Sequence, residues 1–145
     1  MEKFNKGAVL ITGTTSGVGL NTLKPLIEYG WDIIAVNRSS KRAIDEANKI
    51  LKNNEIESIN FIEIDLSDLN SVRDGAKEIA TRFGNVLKVL ICNAAIYKPR
   101  LKRPERSSQG FENSMAVNHF GHFLLINLLL ELSLIHISEP TRPDE

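Results

Sequence analysis

The stretch "AVLITGTTSGVGLNTLKPLIEYGWDIIAVNR" (Ala8–Arg38) sets an apolar, β-branched run directly before Gly13–Gly19, where three of seven positions are glycine. "AVLIT" (Ala8–Thr12) reads as a strand and Val18–Tyr29 as a helix, so the glycines fall in the turn between them. A chain turning from strand to helix there points backbone N–H groups at whatever lies above the sheet, and a phosphate is the group they suit. Gly13 permits the sharp turn, Gly17 lets backbone approach a pyrophosphate, and Gly19 lets the helix pack closely on the sheet. Thr14, Thr15 and Ser16 add hydroxyls, and Val18 is expected to border the cofactor with the rest of Gly13–Gly19. A glycine-rich turn without a ligand is the plainer reading. The placement after a strand and before a helix favours dinucleotide binding.

Outward from this loop, short apolar runs alternate with longer helical patterns. "WDIIAVN" (Trp31–Asn37), "INFIEID" (Ile59–Asp65) and "KVLICNA" (Lys88–Ala94) read as further strands. Arg42–Asn53 and Leu69–Phe83 read as helices, the latter with Ser67 as its expected N-cap. A last helix is expected from about Phe111 into the leucine-rich segment, and Pro25 should kink the first helix or tighten its start. The alternation implies an α/β fold, a doubly wound parallel sheet of Rossmann type truncated after about four strands, which in the usual order of that fold would lie 3-2-1-4.

Composition narrows the function classes. A chain of 145 residues, 42% hydrophobic and 25% charged, has the make-up of one globular domain. Its formal net charge of +0 gives no sign of a nucleic-acid partner. The single cysteine, Cys92, excludes an internal disulfide and suits a reducing, cytoplasmic setting. The N-terminus lacks a signal-peptide pattern, and the apolar run Phe123–Leu132 falls short of the ~20 residues of a membrane span. No metal-ligand spacing is present, and His119 and His122 read as structural.

The loop has the spacing TGxxxGxG, and here the sequence resembles the short-chain dehydrogenase/reductase family, with further matches in the expected order. Where an acidic residue would meet the ribose of NAD, this chain has Asn37-Arg38-Ser39-Ser40 followed by Lys41 and Arg42. A guanidinium there can pair with a 2′-phosphate, so the resemblance implies NADPH, held by Arg38 with Arg42 in support. The alternative for Arg38 is a solvated surface side chain. Asp65-Leu66 matches the family's adenine-contacting pair, Asn93-Ala94-Ala95 its turn beneath the cofactor, and Asn118 its structural asparagine in the proton relay.

"CNAAIY" (Cys92–Tyr97), "GFENS", "NHFGHF" and "TGTTSGVGL" are together similar to one branch, the light-dependent NADPH:protochlorophyllide oxidoreductases, over about residues 7–131. That resemblance implies light-driven reduction of the pigment protochlorophyllide by NADPH, in chlorophyll synthesis. It leaves room for peripheral attachment to photosynthetic membranes and for homo-oligomers. Tyr97 would then lie near the pigment pocket, or else be a loop aromatic on the sheet edge, while Cys92 would be a small buried strand residue. The family's catalytic Tyr-x-x-x-Lys is not found: Tyr29 is followed four residues on by Ile33, and Tyr97 by Leu101. Residues 1–131 read as the N-terminal part of one dinucleotide-binding domain. Residues 132–145, with "LSLIHISEPTR" (Leu132–Arg142), read as a non-native, adapter-derived tail. Two other readings remain at this point: another short-chain reductase of the retinol-dehydrogenase kind, and a dinucleotide-binding module without catalysis.

Overall fold

A computed structural model describes residues 6–134. Residues 135–145, most of the expected non-native tail, lie outside the described residues. Four parallel strands, β1 (Ala8–Thr12), β2 (Asp32–Asn37), β3 (Ile59–Glu63) and β4 (Leu87–Ile91), form one sheet in the order β3-β2-β1-β4. This is the order the sequence pattern implies. The central pair β1 and β2 is buried at every position, whereas β3 and β4 at the edges are only partly covered. That matches their composition: a strand covered on both faces is nearly continuous in apolar residues, and the polar Thr12, Asp32 and Asn37 sit at strand ends.

Alternate residues of each strand feed two cores. On one face Leu10, Ile34, Val36 and Ile62 pack with Val72, Ala76 and Ile79 of α4 (Leu69–Phe83) and Leu125 and Leu129 of α6 (Gly121–Leu134). On the other, Ile11, Ile33 and Ala35 pack with Leu20 and Leu23 of α1 (Gly17–Glu28) and Ala47 of α2 (Ser40–Asn48). A short α3 (Asn53–Ile56) follows α2. A single turn, α5 (Asn113–Met115), leads through a π-helical segment (Ala116–Phe120) into α6.

Several local expectations shift. The helix expected over Arg42–Asn53 starts earlier, because the Ser39 hydroxyl accepts the Arg42 N–H at 3.3 Å. It ends at Asn48 in tighter turns (Ile50 N–H to Ala47 O, 3.1 Å), and a new turn begins where Glu55 accepts the Lys52 N–H at 2.8 Å. Asp68, not Ser67, caps α4, accepting the Asn70 N–H at 3.0 Å, while Ser67 donates its hydroxyl to Asp65 at 2.6 Å. Helix α1 runs through Pro25 to Glu28. Cys92 is exposed, not buried, since it follows an edge strand, although the atoms around it still push its thiol up by desolvation. The helical run Asn113–Leu132, 20 residues with mean hydropathy 1.3, is long and apolar enough by those measures alone to cross a membrane. Its extra length comes from α5 and the π-helical turn, which the leucine-rich run by itself did not include.

Candidate functional site

Above the C-terminal ends of β1, β2 and β4 lies a cleft of about 430 Å³. In parallel α/β sheets this is where ligands bind, because the βα turns there diverge on either side of the first strand. Gly13, Thr15 and Ser16 form one wall and Arg38, Ser39 and Arg42 another. Asp65 and Leu66, Asn93–Ile96, Asn113 and Val117 complete it.

The glycine loop is shaped from both sides. Gly13 has φ +75°, and a Cβ on it would stand 2.8 Å from Ala94 Cα, so only glycine allows the turn after β4 to sit this close. A Cβ on Gly19 would collide with the Gly13 carbonyl oxygen, which is how α1 starts tight against the loop. Gly17 differs: it has φ +56°, yet a Cβ there meets nothing within 4 Å. Its conformation demands glycine while the space before it stays open. Ser16, at the N-cap position of α1, makes no side-chain cap hydrogen bond. The first-turn N–H groups of α1 are thus left for another acceptor, with the positive end of the helix dipole behind them. This is the arrangement an anion such as a pyrophosphate requires.

Thr12 and Asn93 join the loop to β4. The Thr12 hydroxyl oxygen accepts the N–H groups of Asn93 and Ala94, each at 3.0 Å, and the Asn93 carboxamide donates to the carbonyls of Thr12 (3.1 Å) and Gly13 (3.0 Å). Asn118, in the π-helical segment, pairs with the backbone of Ile96 in both directions, accepting its N–H at 2.8 Å and donating to its carbonyl at 2.9 Å.

A family model described as short chain dehydrogenase matches residues 7–137. The chain belongs to the short-chain dehydrogenase family. Within that family it is 43% identical to "Protochlorophyllide reductase, chloroplastic" of Cucumis sativus over 90% of this chain and 32% of that protein. To "Protochlorophyllide reductase A, chloroplastic" of Arabidopsis thaliana it is 39% identical, with the same coverages of 90% and 32%. The chain thus spans about a third of the length of these curated relatives. Among solved structures, an uncharacterized protein from Mycobacterium paratuberculosis superimposes with a TM-score of 0.70 at 32% identity, covering 89% of this chain and 43% of that one. The 3-ketoacyl-(acyl-carrier-protein) reductase of Brucella melitensis, solved with NADH, gives a TM-score of 0.66 at 23% identity, over 88% and 50% of the two chains. The second likeness shows a shared fold.

The short-chain dehydrogenase fold brings ten of the sequence-expected residues into the cleft wall and leaves six out of it: Thr14, Gly17, Val18, Gly19, Tyr97 and Asn118. Thr14 is buried: its N–H donates to Asn37 Oδ1 at 2.7 Å and its hydroxyl accepts from Asn37 Nδ2 at 2.8 Å. It therefore fastens the loop to β2 instead of facing the cleft. Val18 points into solvent, and Tyr97 is 86% exposed outside the cleft, although its neighbours Ile96 and Lys98 line it. Arg38 and Arg42 line it together, and among the described residues neither guanidinium is paired within the protein. Sequence reasoning missed Lys98, Asn113 and Val117, whose approach depends on how the 97–112 segment folds back. It also missed Glu63, which β3 places beside Asn37 and which accepts the Ser40 N–H at 2.9 Å. A carboxylate beside the β2–α2 turn is thereby held by backbone.

Proposed function

We propose that this chain forms the cofactor-binding part of a light-dependent protochlorophyllide reductase using NADPH. What carries the reading is the likeness to proteins named protochlorophyllide reductase along nearly the whole chain; the cleft supports its cofactor half. The residues fit a dinucleotide: the uncapped N-terminus of α1 would meet the pyrophosphate, and the Arg38 and Arg42 guanidiniums in the cleft wall would meet a 2′-phosphate. Asp65 and Leu66 would border the adenine, and Asn93–Ala95 the floor beneath the nicotinamide. NADPH supplies the hydride when bound. The protein's own part in this segment is to bind, orient and exclude water, since neither tyrosine here is followed by a lysine four residues on.

The test is direct titration of the 145-residue chain with NADPH and NADH, then with protochlorophyllide. NADPH is expected to bind about tenfold or more tightly than NADH, as a charge-assisted bidentate pair would give. Pigment added to the NADPH complex should shift its absorbance, and illumination should leave the pigment unreduced. Failure to bind either nucleotide, or equal affinity for both, would overturn the cofactor assignment.

A further inference from the structure

Thr12 and His122 are 110 residues apart in sequence, yet Thr12 Oγ1 and His122 Nε2 lie 2.7 Å apart. Both side chains are buried, Thr12 at 0% and His122 at 6% exposure, so water is a poor substitute for either partner. The hydrogen-bond inventory then fixes the proton positions. Backbone N–H groups only donate, so the two from Asn93 and Ala94 occupy both lone pairs of the Thr12 oxygen. The hydroxyl keeps one O–H to give, and Nε2 of His122 stands in line to accept it. Nε2 must therefore be bare, with the ring proton on Nδ1. Independently, Nδ1 faces the Asn118 carbonyl oxygen at 3.5 Å, an acceptor that wants that proton. Two unrelated neighbours demand the same tautomer.

We propose that His122 is a positioning residue for the dinucleotide loop: as a neutral, Nδ1-protonated imidazole it accepts the Thr12 hydroxyl and so locks the glycine loop onto the Asn93–Ala94 turn. This rests on the reading of the cleft as a nicotinamide-dinucleotide site. The lock matters because Ala94 occupies the space a Cβ on Gly13 would need, Gly13 and Asn93 the space one on Gly19 would need, and Asn93 bonds the Gly13 carbonyl, so a displaced turn carries the phosphate-binding backbone with it. Protonated His122 has no lone pair at Nε2 and meets an oxygen with none to spare. An intact lock and a charged imidazole exclude one another. Burial, opposed by the Asn118 carbonyl, holds the imidazole below its usual range, and no charged side chain takes part. Cys92, beside Asn93, is displaced upward and away from the mildly acidic window.

Long-range nitrogen–proton NMR on the ligand-free 145-residue chain at pH 7.5 should show His122 as the Nδ1–H tautomer; an Nε2–H tautomer or an imidazolium overturns the proposal. NADPH titrations stepped from pH 7.5 down to about pH 5 should show wild-type affinity falling further than the ligand's own 2′-phosphate titration accounts for, towards the roughly tenfold extra loss of one buried hydrogen bond. His122→Gln keeps an acceptor that is not protonated in this range, so its profile should carry only the ligand's phosphate titration and lie flatter than the wild type's. His122→Phe should bind weakly throughout, and His119→Gln should follow the wild type. A His122→Gln profile as steep as the wild type overturns the lock even if the phenylalanine variant fails to fold. Absence of any nucleotide binding by the wild type at pH 7.5 would instead overturn the cofactor reading, with the NMR result still deciding the tautomer.

Discussion

Arg38 and Arg42 flank Ser39 at the end of β2, one directly after the strand and one in the first turn of α2. Both are exposed in the wall of the cleft, so each can swing onto an incoming phosphate without breaking a partner of its own. Arg38→Ala should weaken NADPH about ten- to a hundredfold and leave NADH nearly unchanged, read by calorimetry. Equal losses for both nucleotides would show that Arg38 does not read the 2′-phosphate. Gly17 offers a sharper test of the loop. Because a Cβ there meets no protein atom within 4 Å, Gly17→Val disturbs packing little and adds mainly the left-handed strain, about 1–2 kcal/mol. The fold should survive with a lowered melting point while NADPH binding is lost; undiminished binding would remove the loop from the phosphate site. These residues were legible in sequence because a backbone demand for glycine, or a charge at a strand end, is written locally. Thr14 was not. Its hydroxyl looked like a ligand donor, and only the pairing of loop and strand shows that Asn37 already occupies it.

Between elements, the segment 97–112 is held to the body of the fold by few and mostly polar ties. Gln109 donates to Asp68 Oδ1 at 3.0 Å and accepts the Leu69 N–H at 3.1 Å, latching this segment onto the N-terminus of α4. Glu112 caps α5, accepting the N–H groups of Met115 (2.9 Å) and Ser114 (3.0 Å). The bond from Gln109 and then that from Asn70 hold Asp68 below its ordinary 3.8, and the Met115 and Ser114 N–H groups hold Glu112 below its ordinary 4.5. A carboxylate whose folded value is lowered contributes its full stabilisation above the unfolded value and loses it as pH falls through the folded one. The latch should therefore be complete above about pH 5 and weaken below about pH 4. Pepsin at pH 3 is expected to cut within residues 97–112 before it cuts the sheet, and Gln109→Ala should hasten that cut. First cleavage inside β1 or β2 would contradict it. The main elements were predictable because burial imposes its period on the sequence. Their ends were less so, as with Asp68 replacing Ser67 as the cap, because adjacent residues can compete for one N–H and the winner depends on where Asp65 draws the other. The π-helical turn carrying Asn118 was invisible, as was the pairing of Asn118 with the distant backbone of Ile96.

For the molecule as a whole, the doubly wound parallel sheet was readable from alternation and its order followed from the usual order of such folds, while the outer face of α6 is where the chain's surface turns apolar. Phe123 and Leu130, seven residues apart and so on one side of α6, are 61% and 51% exposed, and Met115 and Phe111 are exposed nearby. Among the described residues β4 has a neighbouring strand on one side only, with Val89 partly uncovered there. Two routes to self-association follow, and they differ in strength. The β4 edge is only five residues long and carries the exposed Lys88, both of which discourage pairing with another edge. Among the described residues Asn127 interrupts the α6 stripe and the exposed Glu131 follows it, but the Asn127 carboxamide is turned back to the Phe123 carbonyl at 2.8 Å, so it does little to keep that side polar. Association through α6 should dominate. Sedimentation velocity on the 145-residue chain should show dimers or larger species at about 10 µM, the range in which exposed apolar surface drives association. Phe123→Glu should return most of the material to monomer, whereas Val89→Lys should change the distribution little. A wild-type chain that stays monomeric would mean the stripe is too narrow to bind a second copy, and a stronger effect of Val89→Lys would move the contact to the sheet edge.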